Sequence, residues 1–214
     1  MKAWIRKMIA RRRSGKKSRA QSMVEFAIML PVLLIMLSGL VEFGFMLNYY
    51  LDIIDAAREA ARFAADDDPI RDAAGNYIDP NPAFYTRVQT VAKDSINVGS
   101  GNQITLDCTT GDVVISAFSI LNNGTPTVDK RFPIPSGENG LSMCNHRYSN
   151  WTSGQVAAKL DTNAPSTGLV MVEIYYDYHM VLGLPWIRAF VPDPVTLYAY
   201  SMMPNANVEP TPTP

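Results

Sequence analysis

Polar and apolar positions alternate in different ways along this chain. Residues 21–47, QSMVEFAIMLPVLLIMLSGLVEFGFML, form an apolar run with no polar face. Residues 26–41, between Glu25 and Glu42, carry no charge at all. At a helical rise of ~1.5 Å per residue the two carboxylates stand about 25 Å apart, close to the ~30 Å thickness of a bilayer core. The pattern predicts a membrane-inserted helix over about residues 23–47, with residues 43–47 lengthening the rod where Glu42 reaches the interface or finds a partner. Beyond it the period becomes amphipathic. Leu47, Leu51, Ile54, Ala57, Ala61 and Ala64 or Ala65 recur every three to four residues, while Asp52, Asp55, Arg58, Glu59 and Arg62 mostly take the other faces. Asp55 with Arg58, and Glu59 with Arg62, are spaced for weak local ion pairs. One helix over residues 21–65 would be roughly 68 Å long. Asp66, Asp67 and Asp68 followed by Pro69 stop it, since a residue before proline is pushed out of the helical region.

The remaining pattern is that of a mixed domain. Residues 84–96 have the period of a short amphipathic helix, and residues 153–160 suggest another. Strand patterns occur at residues 103–108, 112–121, 169–182 and 195–203, and Asn122-Asn123-Gly124 turns the second of these into a hairpin with residues 125–132. In the long strand Val170, Val172, Ile174, Tyr176 and Tyr178 share one face; Met171, Glu173, Tyr175 and Asp177 share the other. Strands joined without long helical crossovers argue for an antiparallel sheet. The predicted fold class is α+β: a long N-terminal transmembrane and amphipathic helix packed on an extracytoplasmic antiparallel sheet domain. Its parts are a basic leader (1–20), the helix (21–65), the α+β domain (66–203) and a disordered Pro/Thr tail (204–214).

Charge adds an orientation. Nine of the nineteen lysines and arginines lie in residues 1–20, which have no acidic residue, leaving ten basic against all twenty acidic residues downstream. The positive-inside rule puts the N-terminus in the cytoplasm and the acidic bulk outside. An apolar span directly after the basic arm argues against nucleic acid as its partner. Trp4, Ile5, Met8 and Ile9 fall at helical spacing, so the first ten residues either rest on the inner membrane face or form a disordered arm. Cys108 and Cys144 both follow the span. In an oxidising compartment they are expected to form a disulfide; two buried, unpaired thiols are the alternative.

Ala20-Gln21-Ser22-Met23-Val24-Glu25-Phe26-Ala27, Leu30-Pro31 and Ala57-Arg58-Glu59-Ala60-Ala61-Arg62 together resemble the N-terminal signature of TadE-like proteins, pseudopilins or minor pilins of tight-adherence systems related to type IV pili. The resemblance implies a prepilin peptidase cut between Ala20 and Gln21, with Glu25 fifth and Phe26 sixth in the mature chain; the family usually has Gly where this chain has Ala20. It implies as partners other pilin subunits, the peptidase, a platform membrane protein and an assembly ATPase. The physical chemistry of these positions is compatible. A carboxylate inside an apolar segment costs roughly 2.5–3.5 kcal/mol at mid-membrane unless paired. Cleavage after Ala20 creates an α-ammonium four residues from Glu25, and it removes the cations that resist extraction from the membrane. Alternatively, Glu25 snorkels to the inner interface. Pro31 removes a helical hydrogen bond and invites a kink. Ser38, Gly39 and Gly44 offer small faces for helix packing, alongside Glu25 and Glu42.

Candidate chemistry is sparse. The chain has two histidines, His146 and His179. Cys144 with His146 lacks the further ligands that a zinc site needs. Asp66, Asp67, Asp68, Asp72, Asn76 and Asp79 do not have EF-hand spacing and read as a solvated loop. No glycine-rich phosphate loop, G-x-S-x-G or HExxH motif is present. Tyr175, Tyr176, Tyr178 and Trp186 are read as core and sheet face, with a carbohydrate- or partner-binding surface as the alternative. The N-x-S/T matches at Asn123 and Asn150 carry little information. The expected protein is a non-enzymatic assembly component in the cytoplasmic membrane, contacting lipid and needing no metal or cofactor. The alternative is an uncleaved, single-pass extracytoplasmic binding module.

Overall fold

The computed structural model describes residues 17–99, 104–163 and 165–210, and the first sixteen positions lie outside it. It is α+β. In chain order the elements are helix α1 (Lys17–Ala65), helix α2 (Pro82–Gly99), strands β1 (Gly111–Asn122), β2 (Pro126–Phe132) and β3 (Leu141–Ser142), helix α3 (Ser153–Ala157), strand β4 (Thr167–Tyr178), helix α4 (Pro185–Arg188) and strand β5 (Val195–Pro204). They form two compact units. The first contains the described part of Met1–Phe45 with Val181–Val191; the second contains Met46–Met180 and Pro192–Pro214. Helix α1 runs without interruption through Pro31.

The second unit is built on an antiparallel sheet in the order β2-β1-β4-β5, with β3 also pairing β1. One face is covered by helices. Ile53, Ala56, Ala57, Ala60, Ala61 and Ala64 recur on one side of α1, and their small side chains permit close approach to the sheet. Phe84, Tyr85, Val88, Ala92 and Ile96 of α2 join them against Val113, Ile115, Val170, Val172, Ile174, Tyr176 and Tyr178. The alternation expected in β4 is therefore real, but its second face is also covered. Met171 packs with Phe118, Ile120 and Val156, and Glu173 and Tyr175 are buried. The three tyrosines accordingly lie on opposite faces of one buried strand and do not form a single surface.

Three readings of the pattern need correction. The described part of the predicted strand at 103–108 (Gln103 lies outside) is not a strand. Ile104 and Leu106 alternate inward because they pack on the core, and the Asp107 carboxylate then accepts from the N–H groups of Thr109 and Thr110, making a turn. The long strand ends at Tyr178, so residues 179–182 leave the sheet. The tail is ordered at its start. Asn205 and Val208 are buried, and the Asn205 side chain donates to the carbonyls of Ala64 and Asp67, at the C-terminal end of α1. The Ala64 oxygen, in the last turn of α1, also accepts from the Asp67 N–H at 3.4 Å, and the amide adds a second donor there. Gly168 permits this closure: a Cβ there would collide with the Asn205 carbonyl and Val208. The aspartate-rich loop is largely solvated, as expected, though Ile70 and Asn81 within it are buried.

Candidate functional site

The residues expected to carry function lie on the first half of α1. Its 18-residue apolar window has a mean hydropathy of 2.4 and none of it is buried. A core helix of that composition would be covered; this one is long and apolar enough to cross a membrane. Among residues 21–45 only Glu42 is buried, and only Ser38 and Gly39 are half-buried. The Gln21 side-chain amide donates to Glu25 Oε1 (3.1 Å), so the two residues expected to meet at the processed end are one helical turn apart and in contact. Phe26 is exposed. A Cβ at Gly39 or Gly44 would meet nothing within 4 Å among the described residues, so none of them requires glycine at either position. The backbone of Ala20 is helical, and its side chain lies outside the described residues.

The three shielded positions share a face of α1, and the cover is Val181–Val191, VLGLPWIRAFV. The N–H groups of Val181 and Leu182 donate to Glu42 Oε1 and Oε2, each at 2.8 Å. Trp186 Nε1 donates to Ser38 Oγ (3.1 Å), and that hydroxyl donates in turn to the Ile35 carbonyl (2.9 Å). Gly183 at φ +55° makes the reversal that returns the chain to the helix, and Pro185 opens α4. Trp186 is thus tied to α1. Sequence reasoning missed this arrangement. Its signal was an apolar stretch with neither strand alternation nor helical length.

The second unit carries its polar groups as braces. Cys108 and Cys144 form a disulfide. Beside it, the fully buried Asp112 carboxylate accepts from the N–H groups of Cys144, His146 and Arg147 and from the Ser142 hydroxyl, so one carboxylate shapes the loop at 142–147. His146 is a loop residue there. His179 is exposed, 3.2 Å from Asp193. On the second sheet face Glu173 Oε1 accepts from Asn150 N–H (2.9 Å) and from the hydroxyls of Tyr198 (2.8 Å) and Tyr175 (3.3 Å). Burial, reinforced by the Glu173 carboxylate, pushes both phenols well above the ordinary tyrosine range. Burial lowers the Arg131 guanidinium, although Glu138 at 2.9 Å opposes the shift. Glu138 itself is held below the usual range: partial burial works the other way, and hydrogen bonds from Ser153 and Arg131 outweigh it. Each of these residues is tied to a neighbour in the fold, but Glu173 Oε2 and Arg131 Nε are buried with no hydrogen-bond partner. Among the described residues, no group of three His, Cys, Asp or Glu side chains is placed to hold a metal ion.

The class this geometry defines is an α+β protein with an uncovered apolar helix fit for a membrane anchor. The family model described as TadE-like protein matches residues 20–62, which lie within α1 and include none of the sheet. No curated protein and no solved structure matches the chain.

Proposed function

We propose that the protein is a minor pilin or pseudopilin of a tight-adherence, type IV-like pilus. It is inserted with its N-terminus in the cytoplasm, cut by a prepilin peptidase between Ala20 and Gln21, and assembled through residues 26–47 with other pilin helices. Its role is structural and not catalytic. A platform membrane protein and an assembly ATPase act on it during extraction from lipid, and the sheet domain stands outside the cytoplasmic membrane. The observation that carries this reading is the contrast between a strongly apolar helix and its almost complete lack of cover from its own chain. The family match at residues 20–62 supports it independently.

Glu25 has the central part. In lipid or in a bundle of helices its charge must be neutralised. Gln21 already reaches it with an amide, and cleavage places an α-ammonium on that same residue. The intact mass of the chain purified from its native membrane tests the proposal. A mature chain beginning at Gln21, recovered with sheared filaments, is the expected result. A chain beginning at Met1 and absent from filaments overturns it in favour of an uncleaved, membrane-anchored binding module.

A further inference from the structure

Glu42 poses a problem that the pilin reading leaves open. It ends the charge-free stretch, yet four of the five residues after it are apolar, so it sits as a lone carboxylate within a longer greasy rod. It is only 6% exposed. Both of its oxygens are occupied by backbone N–H groups from residues some 140 positions away in sequence. A carboxylate at an open water interface is satisfied by solvent. One that is wrapped and doubly bonded suits a setting where water is scarce, because an unmet charge there costs several kcal/mol.

The segment that does the wrapping faces outward with the same chemistry as the rod. Phe190 is 89% exposed, and Val181, Leu182, Trp186 and Val191 are exposed beside it; Arg188 is the single charged residue of the eleven. Trp186 is held at Ser38, one helical turn from Glu42 toward the middle of the apolar run. Its ring is partly exposed while its N–H is bonded, so the indole can lie against lipid without leaving its polar atom unmet.

We propose that Val181–Val191 is a second membrane-contacting element, which inserts Trp186 and Phe190 among the lipids of the outer leaflet and seals Glu42 from the bilayer. This rests on the reading of α1 as membrane-spanning. The occupant of the loop's outer surface is lipid, because that surface continues the exposed apolar surface of residues 26–41 in the same compact unit. The loop then fixes how deeply α1 sits: Glu42 lies inside the apolar layer instead of marking its edge.

The test uses the full chain in vesicles of phosphatidylethanolamine and phosphatidylglycerol, with brominated lipid or aqueous iodide as the quencher. The chain has three tryptophans, Trp4, Trp151 and Trp186, so W4F with W151F isolates Trp186. A reference chain with all three replaced by Phe and carrying L33W reports on the rod itself. The expected result is loss of most of the Trp186 emission to brominated lipid, with little loss to iodide, and the same for the Leu33 reporter. Iodide quenching of Trp186 while the Leu33 reporter answers to lipid overturns the inference and leaves the spanning helix intact. Silence of Trp186 toward both quenchers places the ring against protein and also overturns it. If neither reporter answers to lipid, the spanning reading fails first. Labelling the unsubstituted chain with 5-fluorotryptophan and broadening its fluorine resonances with spin-labelled lipid gives the same readout without altering Trp151.

Discussion

The two halves of α1 are one helix with opposite fates. In residues 21–45 the large apolar side chains are exposed almost without exception, and in residues 53–64 six positions are essentially inaccessible. The difference lies in how the apolar residues are arranged more than in how many there are. The first half is apolar on every side, so one neighbour within the chain covers only a narrow face, as Val181–Val191 does. The second half gathers its six inaccessible positions, five alanines and Ile53, into one stripe, which packs into a shared core with the sheet and α2. A uniformly apolar helix needs an environment on all sides, and the described residues supply it along one narrow face alone. That need is the physical content of the membrane and filament proposals.

The comparison can be broken most severely at Glu25. Glu25→Ala is expected to leave membrane insertion intact and to abolish most incorporation into filaments, measured by immunoblotting sheared and membrane fractions. Incorporation at the level of the unsubstituted chain would remove the role given to that carboxylate. Next in size is the disulfide. Cys108→Ser with Cys144→Ser should cost the sheet domain about 3–4 kcal/mol, the chain-entropy value for a loop of this size. Thermal melting checks it, and carbonate resistance of the membrane form should not change.

A matched pair then sets the halves directly against each other. Ile53→Val removes one buried methylene from the stripe and should cost about 0.5–1.5 kcal/mol. Ile28→Val makes the same change on the exposed rod and should leave the melting temperature of the domain where it was. Equal effects would mean that the first half is covered within its own chain. The smallest effect is absent at neutral pH. Tyr85, Tyr175 and Tyr198 keep their protons in the folded state above the ordinary value of about 10 for tyrosine, whereas the unfolded chain releases them. The unfolded state then binds fewer protons, so stability is fully present below about pH 10 and declines above it. Phenolate absorbance followed with circular dichroism should show these three ionising together with unfolding, and Tyr198→Phe should soften the decline.

Much of this architecture is legible in sequence because local pattern causes it. The helix follows from an uninterrupted run followed by a three-to-four-residue period, and the Asn122–Gly124 hairpin from its turn residues. What sequence hides is the identity of partners. Ile104 and Leu106 alternate as strand residues do, but alternation reports burial and says nothing about which backbone groups pair. The tail's proline-rich end obscures Asn205, whose partners lie 138 and 141 residues earlier. Glu42 is visible as an anomaly in an apolar run, but its answer is a pair of backbone N–H groups that carry no side-chain signature.

The clasp formed by Asn205 bears on timing. The carbonyls it meets belong to residues 64 and 67, and the amide that reaches them is synthesised 138 to 141 positions later. Strand β5, which pairs with β4 along ten residues, likewise follows all the other strands in the chain. Until residues 195–205 have been made, the helix end lacks this amide and β4 lacks one of its two strand partners. Closure of the sheet domain thus waits on a stretch far downstream of the helix that it caps.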